Sequence, residues 1–213
     1  MNKSDLYDPK LIEDLYLTMQ NCQVDDQAVL TGLRESLRGK KVLILAPGAT
    51  LNTHRKEISE YIAADRPYVI STNFLPESFD VDMLFTSNRK RIEILEEKID
   101  AVGCVLATSN LLAELPGTVQ FIKYSNYLGE GKAVDNAGAM LIRVMKAVGV
   151  SHIALAGFDG FDVDSSNNYC VSSYKSMLER SEADLKNEEI GIQMKLALND
   201  IPHEFITPTR YSI

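Results

Sequence analysis

The apolar positions change their period near residue 40. Ahead of that point they fall at helical spacing. Leu11, Ile12, Leu15 and Leu17 form a short segment that opens after Asp8-Pro9 and ends around Asn21. Val29, Leu30, Leu33 and Leu37 form a second, which starts at Asp25-Asp26 and stops at Gly39. Two such helices are too small to hold a fold of their own, so they must dock on the rest of the chain or on a partner. The pattern therefore predicts a helical appendage over 1–39 and a body over 40–213.

From Lys40 onward, short runs that are apolar throughout alternate with amphipathic stretches. KVLILA (41–46), PYVIST (67–72), VDMLFTS (81–87), CVLATS (104–109), VQFIKY (119–124), SHIALAGF (151–158) and HEFITP (203–208) read as strands. Between them lie a helix through Ile58, Tyr61 and Ile62, and a charged helix over 88–100 with Ile92, Leu95 and Ile99 inward. A helix over 133–149 follows, with Val134, Ala137, Leu141, Val144 and Val148 at spacings of three and four. The longest, over 174–199, is expected to bury Tyr174, Leu178, Leu185, Ile192 and Leu196 on one stripe. Strands apolar on both faces require helices on both sides of a mostly parallel sheet. The expectation is a three-layer, Rossmann-like α/β fold with six or seven strands.

Composition then removes several classes of function. The 22 Lys+Arg against 30 Asp+Glu leave a net charge of −8, which argues against a general nucleic-acid binder. No apolar run approaches the roughly 18 residues of a membrane span, and the start MNKSDLYDPK has no signal-peptide core. The three cysteines, Cys22, Cys104 and Cys170, are far apart and read as reduced thiols of a cytoplasmic protein. His54, His152 and His203 are scattered too, so a transition-metal centre is not expected.

In an open parallel sheet the ligand crevice lies beyond the carboxyl ends of the strands. Pro47-Gly48-Ala49-Thr50 follows the first strand as a tight turn into a helix, where outward amides suit a phosphate. Asn73 follows the second strand and Ser87-Asn88 the third; an amide side chain offers both donor and acceptor to a base or sugar. Two helices start with cations, Arg55-Lys56 and Arg89-Lys90-Arg91, where the helix dipole favours anions, so a shared anionic ligand is expected there. Asp135-Asn136-Ala137-Gly138 opens another helix, with Asp135 or Asn136 as cap and Gly138 marking close packing or ligand contact. Gly157 and Asp159 end the strand over 151–158, and Asp159, Asp162 and Asp164 are spaced to hold Mg²⁺ or Mn²⁺ over a diphosphate. No serine lies in a nucleophile elbow and no cysteine has a flanking base.

Taken in order, VLILAPGATL, STNF, LFTSNRKR, DNAGAML and HIALAGFDGF resemble the signatures of bacterial sialyltransferases of the Campylobacter type. They also resemble the wider group that includes flagellin-glycosylating motility accessory factors and archaeal hydroxymethylpterin pyrophosphokinase. The resemblance implies a nucleotide or nucleotide-sugar held by Pro47, Gly48, Ala49, Thr50, Asn73, Ser87, Asn88, Asn136, Ala137, Gly138, Gly157 and Asp159, to which the cationic helix start adds Arg89. Glycosyl transfer in surface-polysaccharide or acidic-sugar synthesis is the implied activity, with Mg-dependent pyrophosphokinase-like transfer as the alternative. Over nearly the whole chain, with LIEDLYLTMQNCQVDD and RGKKVLILAPGATL, the sequence also looks like the C-terminal extension of HMG-lyase-like aldolases of the 4-hydroxy-2-oxovalerate type. That likeness implies an aldolase barrel as a partner and a non-catalytic docking or regulatory role; separately, the leading helices offer a surface for a homo-oligomer. It also implies that the chain either stands alone or is a piece of a longer protein. Two departures stand out: residues 169–180 hold Tyr169, Tyr174 and Lys175 but no histidine base, and Asp135 puts a carboxylate at a phosphate-binding turn.

Overall fold

The computed structural model describes residues 24–99, 102–113, 115, 118–164, 168–171, 174 and 178–213. The segment expected as a helix between Asp8 and Asn21 lies outside them. Seven strands form one sheet: β1 (Lys41–Leu45), β2 (Tyr68–Thr72), β3 (Met83–Thr86), β4 (Val105–Thr108), β5 (Gln120–Ile122), β6 (His152–Ala156) and β7 (His203–Phe205). Their order is β5-β4-β3-β2-β1-β6-β7, and every neighbouring pair is parallel. The helices are α1 (Asp26–Leu37), α2 (Thr50–Thr53), α3 (Arg55–Asp65), α4 (Arg89–Ile99), α5 (Ala137–Val148) and α6 (Arg180–Leu198). This is the three-layer α/β architecture that the apolar runs require.

Register decides which strand residues meet which helices. Ile44 lies beside Ile70, and Ile70 beside Met83, so these point to one face together with Val42, Phe85 and Leu106. That face is covered by α1, α5 and α6. Leu43, Leu45 and Val69 point the other way onto Leu51 and Ile58 of α2 and α3, while Leu84, Val105 and Ala107 meet Ile92, Leu95 and Ile99 of α4.

Leu30, Leu33 and Leu37 of α1 are buried in the same cluster as α5 and the strands. Each such side chain is worth roughly 1.5–3 kcal/mol of burial. Asp25 caps the helix through bonds from the Gln27 and Ala28 amides. Asp26 is buried and ties the helix to the far edge of the sheet, accepting from the Lys123 amide and from Asn126 Nδ2. This helix is a layer of the body, with no core of its own.

The longest helix corrects the expectation in two ways. It begins at Arg180, after a reciprocal cap between Glu179 and Glu182, so Tyr174 and Leu178 lie outside it. Its buried face is Ala183, Ile190, Gly191, Met194, Ala197 and Leu198, whereas Leu185, Ile192 and Leu196 are 48–57% exposed. Small residues let α6 approach α5 and the sheet closely; a reading weighted toward leucine and isoleucine picks the opposite face. Among the described residues no helix is long and apolar enough to cross a membrane.

Candidate functional site

The strand order leaves β1 in the middle, with its successor β2 on one side and β6 on the other. At this switch point a cleft of about 310 Å³ opens beyond the carboxyl ends of the strands. Pro47, Gly48, Asn73, Ser87, Asn88, Asn136, Ala137, Gly138, Gly157 and Asp159 line it, so ten of the thirteen expected site residues converge. Ala49, Thr50 and Arg89 do not line it.

The turn after β1 is built differently from the phosphate loop expected there. The Gly48 amide donates to Gly157 O at 3.0 Å, and the Thr50 amide donates to Asp159 Oδ2 at 2.7 Å. The Thr50 hydroxyl donates to the other carboxylate oxygen, Asp159 Oδ1. A carboxylate of the chain itself therefore occupies the anion seat at the start of α2. A Cβ on Gly48 would sit within 2.5 Å of Asp159 Cγ, and one on Gly157 (φ +75°) within 2.9 Å of Leu51 Cγ. These glycines let the turns that follow the parallel strands β1 and β6 approach closely; they do not clear room for a ligand. Burial pushes the Asp159 carboxyl above the usual carboxylate range, against the opposing pull of the Thr50 bonds and of the Arg210 and His54 charges.

Opposite this sealed turn, polar groups remain unspent. Asn73 ends β2 at φ +60°, a left-handed conformation that asparagine tolerates better than most residues. Its Oδ1 accepts from Thr86 Oγ1 at 3.1 Å and from the Ser87 amide at 3.0 Å; its backbone is held by Phe85 O and by the Tyr174 hydroxyl. The amide oxygen is thus committed, and only the Nδ2 donors are left for a ligand. Ser87 has both backbone groups bonded, its carbonyl accepting from Asn110 Nδ2, which leaves its hydroxyl. Asn88 caps α4 through the Lys90 amide, and Asn136 caps α5 through the Ala139 amide. The Asn136 cap leaves the Ala137 and Gly138 amides without a partner among the described residues. Gly138 itself answers to packing, since a Cβ there would lie 2.5 Å from Phe158 Cε1. Asp135 lines the same rim and accepts from the Tyr124 hydroxyl at 3.3 Å.

Thr72, which sequence reasoning missed, carries the clearest sign of an absent partner. It lines the cleft, is 3% exposed, and its buried Oγ1 has no hydrogen-bond partner among the described residues. A polar residue ending an otherwise apolar strand was the available signal. Tyr211, Asn168 and Phe161 also line the cleft. Nothing in the local pattern of the C-terminal segment marks Tyr211.

Of the five cations expected around one anion, one reaches the cleft. Arg91 lines it, with its guanidinium carbon 3.5 Å from the Tyr174 ring centroid and 5.3 Å from that of Tyr169. Consecutive helix residues point about 100° apart, so Arg89 and Lys90 are exposed while Arg91 turns inward. On the other side, the short α2 follows the turn after β1 and α3 starts a turn later, so Arg55 and Lys56 do not line the cleft. Lys56 is 82% exposed and pairs with Glu60 at 3.8 Å, while Arg55 borders a different cavity.

Among its described residues the acidic loop assembles no ion site. Asp162 accepts from Arg210 Nη2 at 2.6 Å and Asp159 is taken by Thr50. Among the described residues no three His, Cys, Asp or Glu side chains converge as metal ligands. The described donors therefore do not make the Mg²⁺ or Mn²⁺ site that the carboxylate spacing would allow.

The fold places the chain in the class of Rossmann-like three-layer α/β proteins, with an open cleft at the topological switch point. Compared with protein-family models and with curated proteins, the chain matches none.

Proposed function

We propose that the cleft binds a nucleotide or nucleotide-sugar, as in domains of glycosyltransferase type. The observation that carries this reading is the set of unspent donors around one crevice: the Thr72 hydroxyl, Asn73 Nδ2, the Ala137 and Gly138 amides and the Arg91 guanidinium. Oriented donors at a helix start suit a phosphate, with the anion at α5 in place of the sealed turn after β1. The rings of Tyr169, Tyr211 and Phe161 supply the flat apolar surface against which a base or sugar packs. Metal-dependent phosphoryl transfer is the weaker reading, because Asp159 and Asp162 are bonded to Thr50 and Arg210.

Thermal-shift titration with CMP, UMP, CDP, UDP, ATP and pterins tests it. One of these at about 100 times its dissociation constant should add roughly 2.7 kcal/mol of stability. The Arg91→Gln variant should lose that gain. If none of the six stabilises the protein, the nucleotide reading fails.

A further inference from the structure

A second cavity, of about 270 Å³, lies on the opposite face of the sheet between α3 and α4. It is separate from the first cleft and does not rest on the nucleotide reading. Tyr174 lines it from one side, while Arg91, which lines the first cleft, packs on that ring; the two form the partition. Its walls are hydrocarbon: Phe74 and Leu95 are buried, Phe79 is half-buried, and Ile94 stands at its edge 42% exposed. Two cations, Arg55 and Lys98, border it against one carboxylate, Glu77, among the described side chains.

Arg55 is held in place. Asn52 Nδ2 donates to Cys170 O at 3.2 Å, which fixes Asn52 Oδ1 to accept from Arg55 Nη2 at 2.9 Å. One N–H of the guanidinium is spent on positioning, and the rest are open to a ligand. The Cys170 thiol also lines the cavity; burial pushes it up to about 11, so at neutral pH it is a packing group and not a nucleophile.

We propose that this cavity binds a small carboxylate with an apolar body, its acid group held by Arg55 and Lys98 and its hydrocarbon seated on Phe74, Phe79 and Leu95. Among the described side chains, two cations against Glu77 leave one positive charge, which suits a monoanion better than a phosphate dianion. The Arg fork suits the planar carboxylate geometry, and the apolar walls supply most of the burial.

Calorimetric titration of the full chain with 3-phenylpropionate, 3-phenylpropan-1-ol and phenyl phosphate reads the site. Saturable binding of the carboxylate is expected, with the alcohol weaker by about tenfold or more. Arg55→Gln should weaken the carboxylate by a similar factor, whereas Lys56→Gln, at an exposed residue that lines neither cavity, should leave it unchanged. Arg55 is exposed, so its variant should melt like the parent. The proposal is overturned by any of four results. These are no saturation up to about 10 mM, equal affinity for the alcohol, tighter binding of phenyl phosphate, or a loss on Lys56→Gln matching that on Arg55→Gln.

Discussion

At the scale of single residues, two buried polar groups near the cleft make opposite predictions. Asp159 has its carboxyl raised by burial, so the folded protein binds that proton more tightly than the unfolded chain does. Its contribution is therefore most favourable below the ordinary carboxylate value and falls as pH climbs through the raised one. Urea unfolding as a function of pH should show that decline in the parent and not in Asp159→Asn, whose amide can still accept from the Thr50 amide and donate to the Thr50 hydroxyl. A slope unchanged in the variant would mean that another group titrates. Thr72 works the other way. Its Oγ1 is buried without a partner, an arrangement that costs about 1–3 kcal/mol in the free protein. Thr72→Val should leave the empty protein as stable or more so, and should weaken a cleft ligand by about tenfold. A variant that is less stable and binds equally well would show that the hydroxyl has a structural partner.

At the scale of elements, glycines separate packing from binding. Gly138→Ala places a methyl against Phe158, so it should destabilise α5 by about 1–3 kcal/mol, as overpacking does. Phe158→Leu should restore part of that in the double variant; a Gly138→Ala protein that melts like the parent would return Gly138 to a ligand role. Much of this level was readable in the sequence. The seven apolar runs became seven parallel strands, because a strand buried on both faces has few alternative interpretations. The starts at Asp25 and Asn136 were visible as acidic or amide residues just ahead of apolar periodicity, whereas Asn88 was read as a ligand contact and caps α4. What failed was facing. The inward side of α6 is chosen by small residues at close approach, and the carboxylate seated at the α2 start comes from a residue more than a hundred positions away. Neither is a local property of sequence. The cationic helix starts were misread for a related reason: a run of three cations fixes a helix end but not which of its members turns inward.

At the scale of the whole molecule, the division at residue 40 can be tested. Sequence periodicity changes there, yet the apolar cluster does not. Leu30, Leu33 and Leu37 share it with Val42, Ile70 and Met145, and Asp26 bonds to the backbone and side chain of the segment after β5. Arg34 Nε adds a bond to Ala147 O at the end of α5. A true appendage could be removed without touching the body, whereas a chain starting at Lys40 would expose the face of α5 and of the sheet that α1 covers. Each lost leucine contact is worth about 2–5 kcal/mol by analogy with truncation to alanine. Three together rival the 5–15 kcal/mol by which domains are stable. The shortened chain should therefore lose its cooperative melt in calorimetry, and Leu33→Ala in the full chain should lower the melting temperature without splitting the transition. Hydrogen exchange adds an independent reading: the amides of α1 should open together with those of β1 and α5. A chain from Lys40 that melts sharply at the parent temperature would show that α1 rests on a core complete without it.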